Sequence, residues 1–381
     1  MIYLDNAATT FPKPPGMAME ITRCIREYCG NPGRSGHVLS LRASEKIYEC
    51  RQALADLFGS NKPENVIFTL NTTYALNLAI KTLYKSGSHI LISNMEHNSV
   101  LRPVFELQKR GEISYEVFNV MQTENEIIAQ LEQLRKKNTG MLVMAHASNI
   151  CGKLFPIEAV GKFCKAHNIT FIVDAAQSAG VANIHVEQYN ISALCAPAHK
   201  GLYGPQGLGF VLFGNKQPIR TLIEGGNGIN SPSPDMGLTL PESFEGGTMP
   251  TPLIAGFVES INWLKKIGIS QINAHEVALA CRLRDKLLEI PGSLLYGPKH
   301  PETGILLYAN DRIPLNVLSS ALDEKSICTR SGFHCAPLAH STLHTAENGA
   351  LRISFGYFNT RRDVDEIAAA IHNIYKQNQE V

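Results

Sequence analysis

Between residues 65 and 213 of this 381-residue chain, short apolar runs alternate with helix-patterned stretches, and that alternation does most to limit the folds open to it. Segments 65–70 (NVIFTL), 89–93 (HILIS), 141–145 (MLVMA), 170–173 (TFIV) and 209–213 (GFVLF) read as strands. After the first of them, Leu76, Ala79, Ile80, Leu83 and Tyr84 recur at the three-and-four spacing of one helical face. Residues 157–167 read as another helix. The predicted fold is therefore α/β, with a mainly parallel sheet flanked by helices.

Composition narrows the function. Apolar residues make up 44% and charged residues 18%, enough to bury a large core. Lys and Arg total 35 against 34 acids, a net charge of +1, which argues against a general nucleic-acid or anionic-membrane binder. No apolar run approaches a bilayer span, and the first residues lack the basic start and apolar stretch of a secretory signal. Nine scattered cysteines without a Cys-x-x-Cys pair fit reduced thiols, so a cytoplasmic location is expected.

Pro232, Pro234, Pro241, Pro250 and Pro252 fall within 21 residues, where regular structure is not expected. A helix around Trp263, shorter strands and a last helix follow. Thr360 and Asp363 read as its capping pair, and Val364, Ile367, Ala368, Ile371 and Ile374 as its inner face. The expected organisation is a short arm (residues 1–15) joining a small domain, a large domain (16–251), and a small C-terminal α+β domain (252–381).

Lys200 stands before a glycine-rich loop that leads into a strand, in His199-Lys200-Gly201-Leu202-Tyr203-Gly204. Alone it would read as a solvated lysine beside a turn. Asp174, however, ends the strand 170–173 and precedes Lys200 by 26 residues, room for a helix and a return. A carboxylate at that strand end points into the crevice where α/β proteins bind ligands. A lysine that condenses with an aldehyde and an acid that pairs a pyridinium nitrogen are the protein's half of pyridoxal-phosphate chemistry. Thr72 and Thr73 open the helix after 65–70, where free N–H groups and a positive dipole end suit a phosphate; an ordinary N-cap is the plainer reading of each. His97 follows the strand 89–93, placed to stack on a ring or shuttle a proton. Each signal is weak, but the ordered set is strong.

The set resembles the fold-type-I pyridoxal-phosphate enzymes of the class V aminotransferase group. Arg330-Ser331-Gly332-Phe333-His334-Cys335-Ala336-Pro337 resembles the Arg-x-Gly-x-His-Cys-Ala segment of the group II cysteine desulfurases, with the small domain carrying the catalytic Cys loop. The likeness runs from Tyr3-Leu4-Asp5-Asn6-Ala7-Ala8 to Ala350-Leu351-Arg352-Ile353-Ser354. It implies that Lys200 binds the cofactor covalently, Asp174 pairs its ring nitrogen, Gln177 its ring hydroxyl, and His97 stacks on the ring. Asn149 would lie near the ring hydroxyl and the substrate. Thr72, Thr73 and His199 would hold the phosphate, and Thr248 would reach the phosphate of a second subunit in a homodimer. Arg352 would clamp the substrate carboxylate, with Arg330 close to the catalytic loop. Pro197 departs from the family, which has a hydroxyl residue there, and Phe333 replaces a residue that is often polar.

Under this resemblance Cys335 accepts sulfur from L-cysteine as a persulfide, leaving L-alanine, and passes it to an acceptor protein. Its thiol must act as a thiolate, and His334 and Arg330 are its sequence neighbours. Lys200 would move the α-proton, and His97 would serve near the leaving sulfur. Cys50 and Cys164 read instead as core residues on apolar helix faces. Cys335, His340 and His344 also suggest a zinc set, with the histidines sharing one helical face. Its spacing matches no familiar pattern, so no metal is expected and His340 reads as lining the cleft. Alternatives to a desulfurase are a lyase acting on L-selenocysteine, a sulfur carrier or scaffold without turnover, and an ordinary aminotransferase, which would not need Cys335.

Overall fold

The computed structural model describes residues 1–33, 36–228 and 232–379. The chain begins with β1 (Ile2–Tyr3), α1 (Pro15–Glu27) and α2 (Val38–Leu57). It continues through β2 (Val66–Thr69), α3 (Thr72–Leu83), β3 (Ser88–Ser93), α4 (Asn98–Lys109), β4 (Ile113–Phe118), α5 (Glu124–Leu134) and β5 (Thr139–Ala145). Then come α6 (Ile157–Ala166), β6 (Thr170–Asp174), β7 (Ala193–Pro197) and β8 (Gly209–Phe213). Strands β2 to β8 form a seven-stranded sheet in the order β2-β8-β7-β6-β5-β3-β4. Only β8 runs against the direction of the other six strands. The connection from β7 to β8 holds no helix, and a parallel return needs a crossover, so β8 turns back alongside β7.

Helices cover both faces of this sheet, and side chains alternate between two cores. Leu91, Leu142, Phe171 and Val173 pack on one face, with Cys50 and Cys164 buried among them. Ile90, Ile92, Val143 and Ile172 pack on the other, against α3 and α4. Burying each such aliphatic side chain stabilises the fold by roughly 1.5–3 kcal/mol. The chain leaves β3 to one side for β4 and returns to the other for β5. The strand order thus reverses between β3 and β5, the position where open α/β sheets bind ligands.

Residues 232–250 are irregular apart from one short 3-10 turn, as the prolines predict. Beyond them lie α7 (Thr251–Ile267), α8 (Ile269–Leu288), β9 (Ser293–Tyr296), β10 (Ile305–Asn310), α9 (Leu315–Glu324) and β11 (Ile327–Cys328). The chain ends with β12 (Arg330–Gly332), α10 (Pro337–Thr342), β13 (Ala350–Ser354) and α11 (Arg361–Gln379). Helix α7 packs against α1 so closely that a Cβ on Gly256 would lie 2.5 Å from Ile21 Cγ1. A four-stranded antiparallel sheet, β12-β13-β10-β9, is covered by α8, α9 and α11 through a separate apolar cluster. The capping pair of α11 forms as read: Thr360 N donates to Asp363 Oδ2 at 2.9 Å, and Asp363 N to Thr360 Oγ1 at 3.3 Å. The N-terminal arm joins this C-terminal part, with β1 parallel to β11 and Asp5 bridged to Ser354. Among the described residues, no helix is long and apolar enough to cross a membrane.

Candidate functional site

At the strand-order reversal lies a cavity of about 310 Å³ lined by Thr72, His97, Asn149, Asp174, Gln177 and Lys200 among others. They come from the ends of β2, β3, β5, β6 and β7, with β6 and its loop supplying both Asp174 and Gln177, so the sheet gathers residues that the sequence separates by more than 120 positions.

One end suits an anion. Asn71, not a threonine, caps α3, its Oδ1 accepting from Tyr74 N at 3.2 Å. Thr72 and Thr73 therefore sit in the first helical turn with their hydroxyls free of capping. Thr73 Oγ1 meets Ser99 Oγ at 2.8 Å. His199 also lines the cavity, and its buried Nδ1 has no hydrogen-bond partner. An orphaned imidazole nitrogen beside a helix N-terminus fits an oxyanion. Pro197 ends β7 opposite Gly209 and supplies no hydroxyl. Lys13 of the arm braces this end, its Nζ donating to His199 O at 2.6 Å and Thr10 Oγ1 at 2.7 Å. Burial brings the Lys13 ammonium down to about 7.

His97 caps α4, with Nδ1 accepting from Ser99 N at 3.1 Å. Its proton must then sit on Nε2. Burial first, then Lys200 and three nearby arginines, bring it down to about 4, so the ring is neutral near pH 7. Asp174 closes β6 and is 5% exposed, with Oδ1 accepting from Ala176 N at 2.8 Å. Burial raises its carboxyl, while the backbone hydrogen bond and Lys200 oppose the rise. Below it Glu96 is fully buried, receives Ser93 Oγ and Ala145 N on Oε1, and has an unpartnered Oε2. Burial pushes its carboxyl up to about 8. Gln177 donates to Ala7 O at 2.9 Å, tying the cavity wall to the arm.

Lys200 is held by a close turn. Gly180 has φ +82, and a Cβ there would lie 2.1 Å from Gly201 O. Burial, then the Arg352 guanidinium, bring the Lys200 amine down to about 8, where a neutral, nucleophilic fraction exists near neutral pH.

Arg352 is 2% exposed. Its Nη2 donates to Asp5 Oδ1 at 2.8 Å and its Nη1 to Asn149 O at 3.0 Å, while its buried Nε has no partner. Asn149 also donates from Nδ2 to His334 O at 2.8 Å, linking the cavity to the Cys335 loop. Asp5 was given no role by its sequence context, because its partner lies 347 residues away.

Cys335 is exposed, with φ 57, directly after His334 with φ 50. Two successive non-glycine residues in the left-handed region need firm support. Asn98 N donates to Cys335 O at 2.8 Å and Ala336 N to Phe333 O at 3.0 Å. Three expectations change here. His334 is not placed as a charged partner for the thiol: its ring is buried between Arg330 O and His340, and burial takes it down to about 3. His340 does not line the cleft, since it is fully buried. Nor do His340 and His344 share a helical face, because α10 ends at Thr342 and His344 has φ 57. Thr248 is exposed and lines a different, apolar cavity with Leu70, Tyr74 and Ile223, away from the other expected phosphate ligands.

The family model described as Aminotransferase class-V matches residues 2–367. A probable cysteine desulfurase of Pyrococcus abyssi is 33% identical over 99% of this chain and 94% of its own length. One from Methanothermobacter thermautotrophicus is 30% identical over 98% and 94%. Among solved structures, an apo cysteine desulfurase from Thermococcus onnurineus superposes with a TM-score of 0.88 at 29% identity, covering 99% of this chain and 95% of that one.

Proposed function

This chain belongs to the aminotransferase class-V family, and from that premise we propose how its residues carry out the activity of a cysteine desulfurase. The reaction takes L-cysteine to L-alanine. In our reading the sulfur is left on Cys335 as a persulfide, and an acceptor protein then removes it. The atoms balance without a further reagent: the substrate C–S bond breaks, the Cys335 S–S bond forms, and protons return to carbon.

The observation that carries this reading is the joining of an amine, a buried acid and an anion end in one cavity, with an exposed cysteine tied to its rim through Asn149. The residues fit pyridoxal 5'-phosphate. Lys200 would bind it, Asp174 would pair the ring nitrogen, Gln177 and Asn149 would approach the ring hydroxyl, and His97 would cover the ring. Thr72, Thr73 and His199 would hold the phosphate, and Thr248 would serve a second subunit's phosphate in a homodimer. When bound, this cofactor supplies an electron sink for the substrate's α-carbon.

The chain's own groups do the rest. Arg352 holds the substrate carboxylate, with Arg330 adding positive charge. The Lys200 amine takes the α-proton, and its lowered basicity keeps it able to do so near neutral pH. His97 carries a proton on Nε2, in reach of chemistry at the cavity mouth. Cys335 receives the sulfur as a thiolate. Arg330 remains the nearby charge in sequence that favours that form, since His334 is neutral.

The domain division at residues 15 and 251 and a cytoplasmic location belong to the same proposal; nine free cysteines support a reducing compartment. The test is alanine formation from L-cysteine by the purified protein. A Lys200→Ala variant should lose the cofactor's long-wavelength absorbance, and an unchanged spectrum would remove Lys200 from its role.

A further inference from the structure

Beside the reactive loop, two imidazoles stack with ring centroids 5.4 Å apart and planes inclined by 13°. Their hydrogen bonds fix where each proton lies. Arg330 O can only accept, so His334 Nε2, 3.1 Å away, carries a proton. A neutral His334 then has a bare Nδ1, which accepts from His340 Nε2 at 3.2 Å. His340 Nδ1 is bare in turn and accepts from the Thr345 hydroxyl at 2.7 Å, the closer of that hydroxyl's two acceptors, since His340 O lies at 3.4 Å. Donation runs one way, from Thr345 through His340 and His334 to the Arg330 carbonyl.

His340 sits where the loop folds around it. It is fully buried and takes the edge of the Phe333 ring at 5.5 Å and 72°. Residues 333 and 334 both pack on it, and residue 335 follows in the left-handed region. Each such backbone conformation costs about 1–3 kcal/mol and persists only where its surroundings over-determine it.

We propose that His340 is a positioning residue for Cys335, holding the strained 334–335 turn through this one-way chain of hydrogen bonds. The inference rests on the reading of Cys335 as the sulfur acceptor. Burial keeps both rings neutral, as the chain requires: His334 is brought down to about 3, and His340 is also lowered. Protonating His334 would set its Nδ1–H against His340 Nε2–H.

The test compares His340→Leu, which removes the donor, with His340→Gln, whose amide N–H can stand in for Nε2–H. A misplaced nucleophile slows sulfur transfer without weakening substrate binding. In His340→Leu, kcat for alanine formation should fall about tenfold to a hundredfold while KM stays within about twofold, and His340→Gln should recover most of it. If His340→Leu fails to fold, Thr345→Val and Thr345→Ser replace the pair, with only the valine variant impaired. Iodoacetamide labelling of Cys335 relative to exposed Cys29, read by mass spectrometry of the two peptides, gives a readout that does not need turnover. The ratio should depart from wild type in His340→Leu and return in His340→Gln. An unchanged kcat and labelling ratio in His340→Leu, or a glutamine variant no better than leucine, would overturn the proposal. A wild-type protein that forms no alanine would instead sink the functional reading, while the labelling ratio would still decide the role of His340.

Discussion

Arg330 and Arg352 stand directly opposite each other across the antiparallel β12–β13 pair, and Asp5 neutralises only the second. Like charges in cross-strand register are unfavourable, by several tenths of a kcal/mol in ordinary sheets. Here they meet beside a cavity that also holds Lys200, and each arginine lowers the basicity of that lysine. A bound carboxylate would relieve the repulsion, so the sheet stores an affinity for an anionic substrate.

Replacing Arg352 by lysine keeps the charge but removes the two-pronged donor. KM for L-cysteine should rise by about tenfold, the worth of a charge-assisted hydrogen bond, with a smaller change in kcat. Steady-state alanine production measures it. An unaltered KM would show that the carboxylate binds elsewhere.

Asp174→Ala should bind cofactor but turn over poorly, since the ring nitrogen would lose its buried anionic partner. Asp174→Glu should do better than alanine. Single-turnover mixing with L-cysteine separates the two, and wild-type rates in the alanine variant would discredit the assignment.

Glu276 gives a pH-dependent stability. It is 5% exposed, accepts from Tyr203 Oη at 3.0 Å, and burial pushes its carboxyl up to about 8 from the usual 4.5. The folded protein therefore holds a proton that the unfolded chain releases above 4.5. The stabilisation from this group is fully present below 4.5 and is lost as pH rises toward 8. Thermal unfolding of wild type and Glu276→Gln at pH 6 and pH 8 should show a smaller decline in the variant. An equal decline would mean that Glu276 ionises normally.

The cysteines should separate by burial. Native-state thiol labelling should reach Cys335 and Cys29 first and leave Cys50, Cys164 and Cys195 unlabelled until unfolding, because the last three are fully buried and burial raises their thiols. Fast labelling of Cys50 in the folded protein would contradict the packing described.

The strand ends were legible because each places a polar residue straight after an apolar run, as Asp174 follows 170–173. Strand β4 was not, since ISYEVF mixes charge with apolar residues at the sheet edge, and β7, ALCAP, lacks the usual branched residues. The Asp5–Arg352 pair joins the two ends of the chain and leaves no local trace. The shared face read for His340 and His344 fails because spacing assumes a continuing helix, and α10 stops at Thr342. Asn71 as the cap of α3 was also hidden, since the adjacent threonines are equally good caps.

Sulfur transfer to Cys335 is tested by alanine formation by wild type and Cys335→Ala, under reductant, from L-cysteine and from L-selenocysteine. Wild type should convert L-cysteine, and Cys335→Ala should lose this reaction while retaining the cofactor's absorbance. A Cys335→Ala protein that converts L-cysteine as fast as wild type would contradict it, and turnover of selenocysteine alone, unaffected by the mutation, would replace the desulfurase reading with a selenocysteine lyase.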